Sequence, residues 1–262
     1  MQKYKAIVSD FDGTLVDHSQ QMTQAAKDAI REFVKNGGVF SIATGRGYPG
    51  ILEKTCKELG LKHPVIVRGG SEIISTETDE ILWAKHINPD TLARLIEHLS
   101  ELDFFFAAER GQYVYSIDGK VDAEFGAGAD FLDIKDMPLD GVPKAVIPPL
   151  YPLELVEPVL EKIINLFPDL HVVKTSSKKG VGIDINEGGA GKHMALLAYA
   201  KIMDFDPQEI IGVGDSYNDY PLLSACGLKI SMANAPTELK EIADFVVANQ
   251  ENDGIIEVLK IY

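Results

Sequence analysis

A single rhythm, interrupted once and then resumed, restricts the fold of this chain more than any other feature. Three short apolar runs, Lys5-Ala6-Ile7-Val8-Ser9, Val39-Phe40-Ser41-Ile42-Ala43 and Val65-Ile66-Val67, each end in a polar loop. Runs of this length read as strands of a parallel sheet covered on both faces. Between them lie helical stretches. Thr23 caps one that runs to about Lys35, with Ala26, Ile30, Phe33 and Val34 on one stripe and Asn36-Gly37-Gly38 as its stop; a second crosses Ile51 to Leu59. After Gly188-Gly189-Ala190-Gly191 the rhythm returns. A helix from Lys192 to about Met203 leads to the strand Ile210–Gly214, then a short helix over Tyr220 to Ala225 and the strand Leu228–Met232. A helix from Thr237 to Ala243, the strand Phe245–Val247 and a helix over Gly254 to Leu259 complete the chain. Such alternation predicts a doubly wound parallel α/β sheet, Rossmann-like, with right-handed crossovers.

The interruption has a different pattern. Ile73-Ile74 and Glu80-Ile81-Leu82-Trp83 flank a polar turn and read as a small hairpin. Asn88-Pro89 opens a helix to about Leu99, with Asn as cap and Pro in the first turn. The aromatic run Phe104-Phe105-Phe106 and the alternating Tyr113-Val114-Tyr115-Ser116-Ile117 are antiparallel signals. Pro138, Pro143, Pro148, Pro149 and Pro152 punctuate the next section. A helix follows from Leu153 to Phe167, then strands at His171-Val172-Val173 and Gly182–Ile185. The expected organisation is a discontinuous core, residues 1–83 and 187–262, holding an inserted α+β cap domain at 84–186.

A chain of 262 residues has room for two domains, which cluster at roughly 100–150 residues each. Forty acidic residues against 25 basic ones give a net charge of −15, which argues against nucleic acid or an anionic membrane as partner. A small anionic substrate remains compatible, because a metal ion, a lysine and a helix N-terminus can hold a phosphate against an acidic background. Cys56 and Cys226 are too few for a disulfide framework and fit no zinc spacing, so they read as buried thiols. No charged leader, long apolar leader core or membrane-length apolar run is present, and the expected location is the cytoplasm.

Four polar signatures stand at strand or helix ends: Asp10-x-Asp12, Thr44-Gly45-Arg46, Lys192, and Gly214-Asp215-Ser216-Tyr217-Asn218-Asp219. Each alone also fits a plainer role. Asp10 and Asp12 fit an Asx-turn, Asp215 a helix cap, Thr44-Gly45 a turn, and Lys192 a solvated helix residue. In a doubly wound sheet, however, loops distant in sequence converge outside the carboxyl ends of the strands, so these residues are expected to form one site. Two carboxylates one residue apart repel, which favours a bound cation or a raised pKa. An oxygen-only donor set suits Mg²⁺, which takes one or two carboxylates plus a substrate phosphate, and not zinc. Asp10 and Asp215 would bind that cation, while Thr44 and Lys192 would hold phosphoryl oxygens, as phosphoryl transfer requires. A Walker A reading of the segment before Lys192 fails, since residue 186 is Asn and residue 193 is His.

In order, Asp10-Phe11-Asp12-Gly13-Thr14-Leu15, Ala43-Thr44-Gly45-Arg46, Lys192 before Ala195-Leu196, and Gly214-Asp215-x-x-Asn218-Asp219 resemble the four motifs of the haloacid dehalogenase (HAD) superfamily. The α+β insertion between the second and third motifs resembles the type-II cap of the Cof-type sugar-phosphatase branch. The resemblance spans essentially the whole chain. It implies that Asp10 is a nucleophile forming an aspartyl-phosphate and Asp12 the general acid and base. Mg²⁺ would be held by the Asp10 carboxylate, the Asp12 carbonyl and Asp215, with Asp219, Asn218 and Arg46 in support and Thr44 and Lys192 on the phosphoryl group. It implies hydrolysis of small phosphorylated metabolites, sugar phosphates above all. A phosphomutase on the same fold and a non-hydrolytic phospho-aspartate regulatory module are the rival functions. Two positions depart from the usual Cof pattern: Gly69-Gly70 stands where Asn-Gly is common, and Gly191-Lys192-His193 where Ser-Lys-Gly is common. Asn234 resembles a family loop near the site and equally fits a turn. Glu109, Arg110, Tyr113 and Lys178 are candidates to face a substrate from the cap, or plain surface.

Overall fold

The computed structural model describes residues 3–119, 130–177 and 179–262. In chain order it begins with β1 (Ala6–Ser9), α1 (Gln24–Lys35), β2 (Phe40–Ile42), α2 (Ile51–Leu59), β3 (Val65–Val67), β4 (Glu72–Ile74) and β5 (Ile81–Ala84). Next come α3 (Pro89–Ser100), β6 (Ala107–Arg110), β7 (Tyr113–Ser116), β8 (Asp130–Asp133), β9 (Lys144–Tyr151), α4 (Leu153–Leu166), β10 (Leu170–Ser177) and β11 (Gly180–Glu187). The last stretch is α5 (Lys192–Met203), β12 (Ile210–Gly214), α6 (Tyr220–Ala225), β13 (Leu228–Met232), α7 (Thr237–Ile242), β14 (Phe245–Val247) and α8 (Gly254–Ile261). The chain divides into two compact units, one running up to Trp83 and resuming over Lys192–Tyr262, the other Ala84–Gly191.

The first unit is built on a five-stranded sheet of order β14-β13-β12-β1-β2, parallel throughout. From β1 the chain winds one way to β2, and from β12 the other way to β13 and β14, so the winding reverses between β1 and β12. Alternate side chains serve two apolar layers. Ile7, Phe40, Ile42, Val213 and Ile230 pack with Ala26 and Ile30 of α1, Leu52 and Leu59 of α2, and Ile255 and Val258 of α8. Ala6, Val8 and Ile210 pack with Leu196 and Tyr199 of α5, Leu222 of α6 and Leu239 of α7. Both cysteines are buried in these layers as free thiols, and burial pushes the Cys56 thiol up to about 12. Such thiols are inert at neutral pH.

The third apolar run departs from its expected place in the parallel sheet. β3 meets the continuation of β2 at a single parallel bridge, Ala43 to Ile66, and then pairs antiparallel with β4 in a separate three-stranded sheet, β3-β4-β5. The hairpin that follows takes its hydrogen bonds, with Ser75 N donating to Glu80 O at 2.9 Å across the turn.

The second unit is a six-stranded sheet of order β10-β11-β9-β6-β7-β8, antiparallel except between β7 and β8. α3 and α4 supply Leu92, Leu95, Leu99, Val156 and Ile163 to a core with Ala108, Ala145, Ile147, Ile183 and Ile185 of the sheet. At the start of α3 the Asn88 side chain accepts from the Asp90 and Thr91 amides, with Pro89 in the first turn. The proline-punctuated section expected here contains β9, an internal strand that includes Pro148 and Pro149. The strand tolerates them because β6 pairs only with Lys144–Val146, and the register of β11 shifts between Val181 and Ile183, beside the prolines. Residues without an N–H are confined to such breaks in a ladder.

Among the described residues, no helix is long and apolar enough to cross a membrane.

Candidate active site

Each of the two strands that flank the reversal ends in an aspartate, and these ends are where open α/β sheets place ligands. Asp10 follows β1 and is tied back by its amide, which donates to Val213 O of β12 at 2.8 Å. Asp215 follows β12. Between them the chain turns at Gly13, with φ +83°, and a Cβ there would lie 2.3 Å from Asp215 Oδ2. Only glycine lets the first loop come this close.

Lys192, the first residue of α5, is 3% exposed, and its Nζ donates to Asp10 Oδ1 and Asp219 Oδ1, both at 2.6 Å. No hydrogen bond reaches Asp10 Oδ2 among the described residues. Asp219 is fully buried, and its other oxygen accepts from the amides of Asp215 and Ser216, both at 3.0 Å. It therefore closes the turn after β12 and at the same time anchors the lysine. Asn218 completes that turn by accepting from Ser216 Oγ at 2.5 Å.

Carboxylate oxygens of Asp10, Asp215 and Asp219 lie within 4.8 Å of one another. One ammonium faces three carboxylates, and the imbalance shows in their titration. Burial, then repulsion from Asp219, pushes the Asp10 carboxyl well above the usual range, with Lys192 opposing. The same two causes push Asp215 up to about 7. Burial alone would lower the Lys192 pKa, but Asp10 and Asp219 outweigh it and raise it. A surplus of buried negative charge on hard oxygen donors fits Mg²⁺, and thiolate or imidazole ligands are missing from the cluster.

Asp12 is placed differently. Its side chain is 46% exposed and accepts two hydrogen bonds from Arg46, from Nε at 2.7 Å and Nη2 at 2.6 Å. This forked pairing is the strongest a guanidinium makes with a carboxylate. The Asp12 carboxylate is outside the three-aspartate cluster. Arg46 also stacks over Phe11, with 5.6 Å from Cζ to the ring centroid. Thr44 is 1% exposed, and its Oγ1 accepts from the Arg46 amide at 3.2 Å.

The structure thus brings Asp10, Asp215, Asp219 and Lys192 into one cluster and joins Asp12 to Arg46 beside Thr44. Sequence reasoning assigned no holder to Asp215, although it noted Asn234 as resembling a loop near the site. Thr14 Oγ1 donates to its Oδ1 at 2.8 Å, and Asn234 Nδ2 donates to its Oδ2 at 2.9 Å and to Gly13 O at 3.0 Å. The signal for Thr14 was its place right after the two aspartates; Asn234 carried the resemblance to a loop near the site, and the fold adds its contact with Asp215. In the second unit, Glu109 and Arg110 end β6 and Tyr113 begins β7. Arg110 Nε donates to Asp140 O at 2.7 Å, and Lys178 lies outside the described residues.

Residues 7–259 match the haloacid dehalogenase-like hydrolase family. Among curated proteins, the chain is 24% identical to a 5-amino-6-(5-phospho-D-ribitylamino)uracil phosphatase of Bacillus subtilis, over 98% of this chain and 94% of that one. It is also 24% identical to a phosphoglycolate phosphatase of Methanoculleus marisnigri, over 98% and 96%. A haloacid dehalogenase-like hydrolase from Bacteroides thetaiotaomicron shares the fold, with a TM-score of 0.84 at 22% identity over 99% of this chain and 100% of that one. A match over nearly its full length, on a doubly wound core carrying the four motifs in order, means that the chain belongs to the haloacid dehalogenase-like hydrolase family, in its Cof-type branch.

Proposed function

We propose that the protein is a Mg²⁺-dependent cytoplasmic phosphatase that hydrolyses small phosphorylated metabolites, sugar phosphates foremost, through an aspartyl-phosphate on Asp10. The observation that carries this reading is the Asp10 environment: a buried carboxylate hydrogen-bonded to a buried lysine on one oxygen, inside a cluster of acids at the switch point of the sheet. Named phosphatases among the relatives support it.

In this reading Asp10 attacks phosphorus, and the bond from phosphorus to the leaving oxygen breaks. Asp12 gives that oxygen a proton, then takes one from the water that attacks the phosphoryl group. The bond from phosphorus to Asp10 breaks, releasing phosphate and restoring the carboxylate. Asp12 can carry the proton only after giving up a hydrogen bond from Arg46. Lys192 orients Asp10 and, with Thr44, binds phosphoryl oxygens. Asp10, Asp215 and the Asp12 carbonyl would hold Mg²⁺, which supplies charge neutralisation between nucleophile and phosphate. Asp219 and Asn218 keep the metal-side turn in shape. The inserted unit would act as a cap that selects the leaving group.

The test is phosphate release from an aryl phosphate and a panel of sugar phosphates, with Mg²⁺ or with a chelator, for wild type and Asp10→Asn. Release that needs both Mg²⁺ and Asp10 is expected. Equal release by the two proteins overturns Asp10 as nucleophile, and isomerised product without free phosphate overturns hydrolysis.

A further inference from the structure

A second buried charged pair lies one loop away from the cluster, and the reaction outlined above gives it no role. Arg68 and Glu72 are 4% and 5% exposed in their side chains, with Arg68 Nε 2.9 Å from Glu72 Oε2. Arg68 follows β3 and has φ +53°; Gly69 and Gly70 follow at +71° and +95°. A left-handed conformation is ordinary for glycine but strained for a residue with a long side chain, and such strain persists only where its surroundings enforce it. A buried ion pair is also a poor source of stability, because desolvation offsets the attraction.

The backbone of this loop shows what the strain accomplishes. The Arg68 amide donates to Arg46 O at 2.8 Å, and the Gly69 amide donates to Thr44 O at 2.9 Å. The Thr44 amide in turn donates to Ile66 O of β3 at 2.9 Å. The turn Thr44-Gly45-Arg46 is therefore clasped on both sides of Gly45 by successive amides, and two successive N–H groups point the same way because Arg68 is left-handed. Thr44 carries the hydroxyl assigned to the phosphoryl group, and Arg46 carries the fork that holds Asp12. Whatever fixes the backbone of Arg68 fixes both.

We infer that the buried Arg68–Glu72 pair is a positioning device, which locks the left-handed loop after β3 so that its amides hold the phosphoryl-binding turn Thr44–Arg46. Arg68 and Glu72 are positioning residues, not catalytic ones. The inference rests on the phosphatase reading for its kinetic consequence, whereas its structural part stands on the clasp alone.

The decisive comparison uses Arg68→Lys, which keeps a charge for Glu72, and the double variant Arg68→Met with Glu72→Leu, which removes both charges of the pair together. Two readouts separate the inference from the phosphatase reading. Amide hydrogen exchange at Arg68 and Gly69 reports the clasp without any substrate. In the double variant it is expected to quicken about tenfold or more, with a melting temperature near wild type. Steady-state kinetics on an aryl phosphate report the consequence: kcat/KM about thirtyfold lower and inhibition by inorganic phosphate about tenfold weaker, with Arg68→Lys intermediate. Exchange as slow as wild type in a folded double variant overturns the clasp. Quickened exchange with unchanged kcat/KM and phosphate inhibition overturns its role in the site. A wild type that is inactive on every phosphate overturns the phosphatase reading, and the exchange result then still decides the clasp.

Discussion

Asp10 and Asp12 stand one residue apart on the same loop and occupy opposite electrostatic regimes. On the inner side, the buried Asp10, Asp219 and Lys192 and the partly buried Asp215 form a floor in which negative charge exceeds positive. On the outer side, Asp12 and Arg46 form a balanced, half-exposed rim. Charges at the rim are screened, and an exposed pair of this kind contributes typically 0.2–1 kcal/mol, roughly, to stability. The floor is different, since removing Lys192, its one cation, strands buried carboxylates and costs about 3–5 kcal/mol. In the proposed reaction, this difference would let two chemically identical side chains serve as nucleophile and as proton carrier. The floor keeps Asp10 fixed and in need of a cation. The rim leaves Asp12 free to exchange its partner.

Four substitutions test that division, from the largest effect to the smallest. Asp10→Asn removes the proposed nucleophile from the floor, and phosphate release is expected to fall by about 10⁴-fold, measured as kcat on an aryl phosphate with Mg²⁺. Asp12→Asn spares the floor. With an alkyl phosphate, kcat should fall by roughly 10²–10⁴-fold for lack of an acid. With an aryl phosphate the good leaving group departs unaided, so a burst of one phenol per enzyme followed by a stall is expected; equal losses on both substrates would dissolve the distinction between the two aspartates. Arg46→Lys exchanges a planar fork for a point charge, and a loss of about tenfold in kcat/KM with little change in melting temperature is expected. A large drop in melting temperature would mean that the rim is structural after all.

The smallest effect is thermal. Asp215 titrates near 7 in the metal-free protein, against about 3.9 for an unfolded aspartate. The folded state therefore holds the extra proton, and the stabilisation this brings is complete below pH 4 and is lost as pH rises from there through 7. Asp215→Asn removes that loss. At pH 8 without metal its melting temperature should exceed that of wild type by about 3 °C or more, the gap should close toward pH 4, and the rise that Mg²⁺ gives wild type should vanish. A melting temperature that falls on Asp215→Asn at pH 8 would mean that the floor is not overloaded.

Much of this could be read from the sequence because it lies in local patterns. Apolar runs that end in aspartate, threonine or glycine marked the strands and the switch point, and Lys192 stood at a helix start. What escaped was set by tertiary contact. Asp219 holds the lysine as closely as Asp10 does, which spacing along one loop cannot show. The contacts by which Asn234 and Thr14 orient Asp215 from other loops escaped as well, although Asn234 had been noted near the site. β9 was obscured by Pro148 and Pro149, whose compatibility with a strand depends on where β6 and β11 stop pairing. β3 carried a strand signal but not its choice of partner, since three residues of Val-Ile-Val pair equally well with a parallel or an antiparallel neighbour.

The most direct test of the inner and outer roles is to find the phosphoryl group itself. Asp12→Asn is mixed with an aryl phosphate and Mg²⁺, quenched in acid after the burst, digested and read by mass spectrometry. The account predicts one phosphoryl group on the peptide that contains Asp10, and none when Asp10→Asn is added. A burst with no phosphorylated peptide, or a phosphoryl group that survives the loss of Asp10, would contradict it.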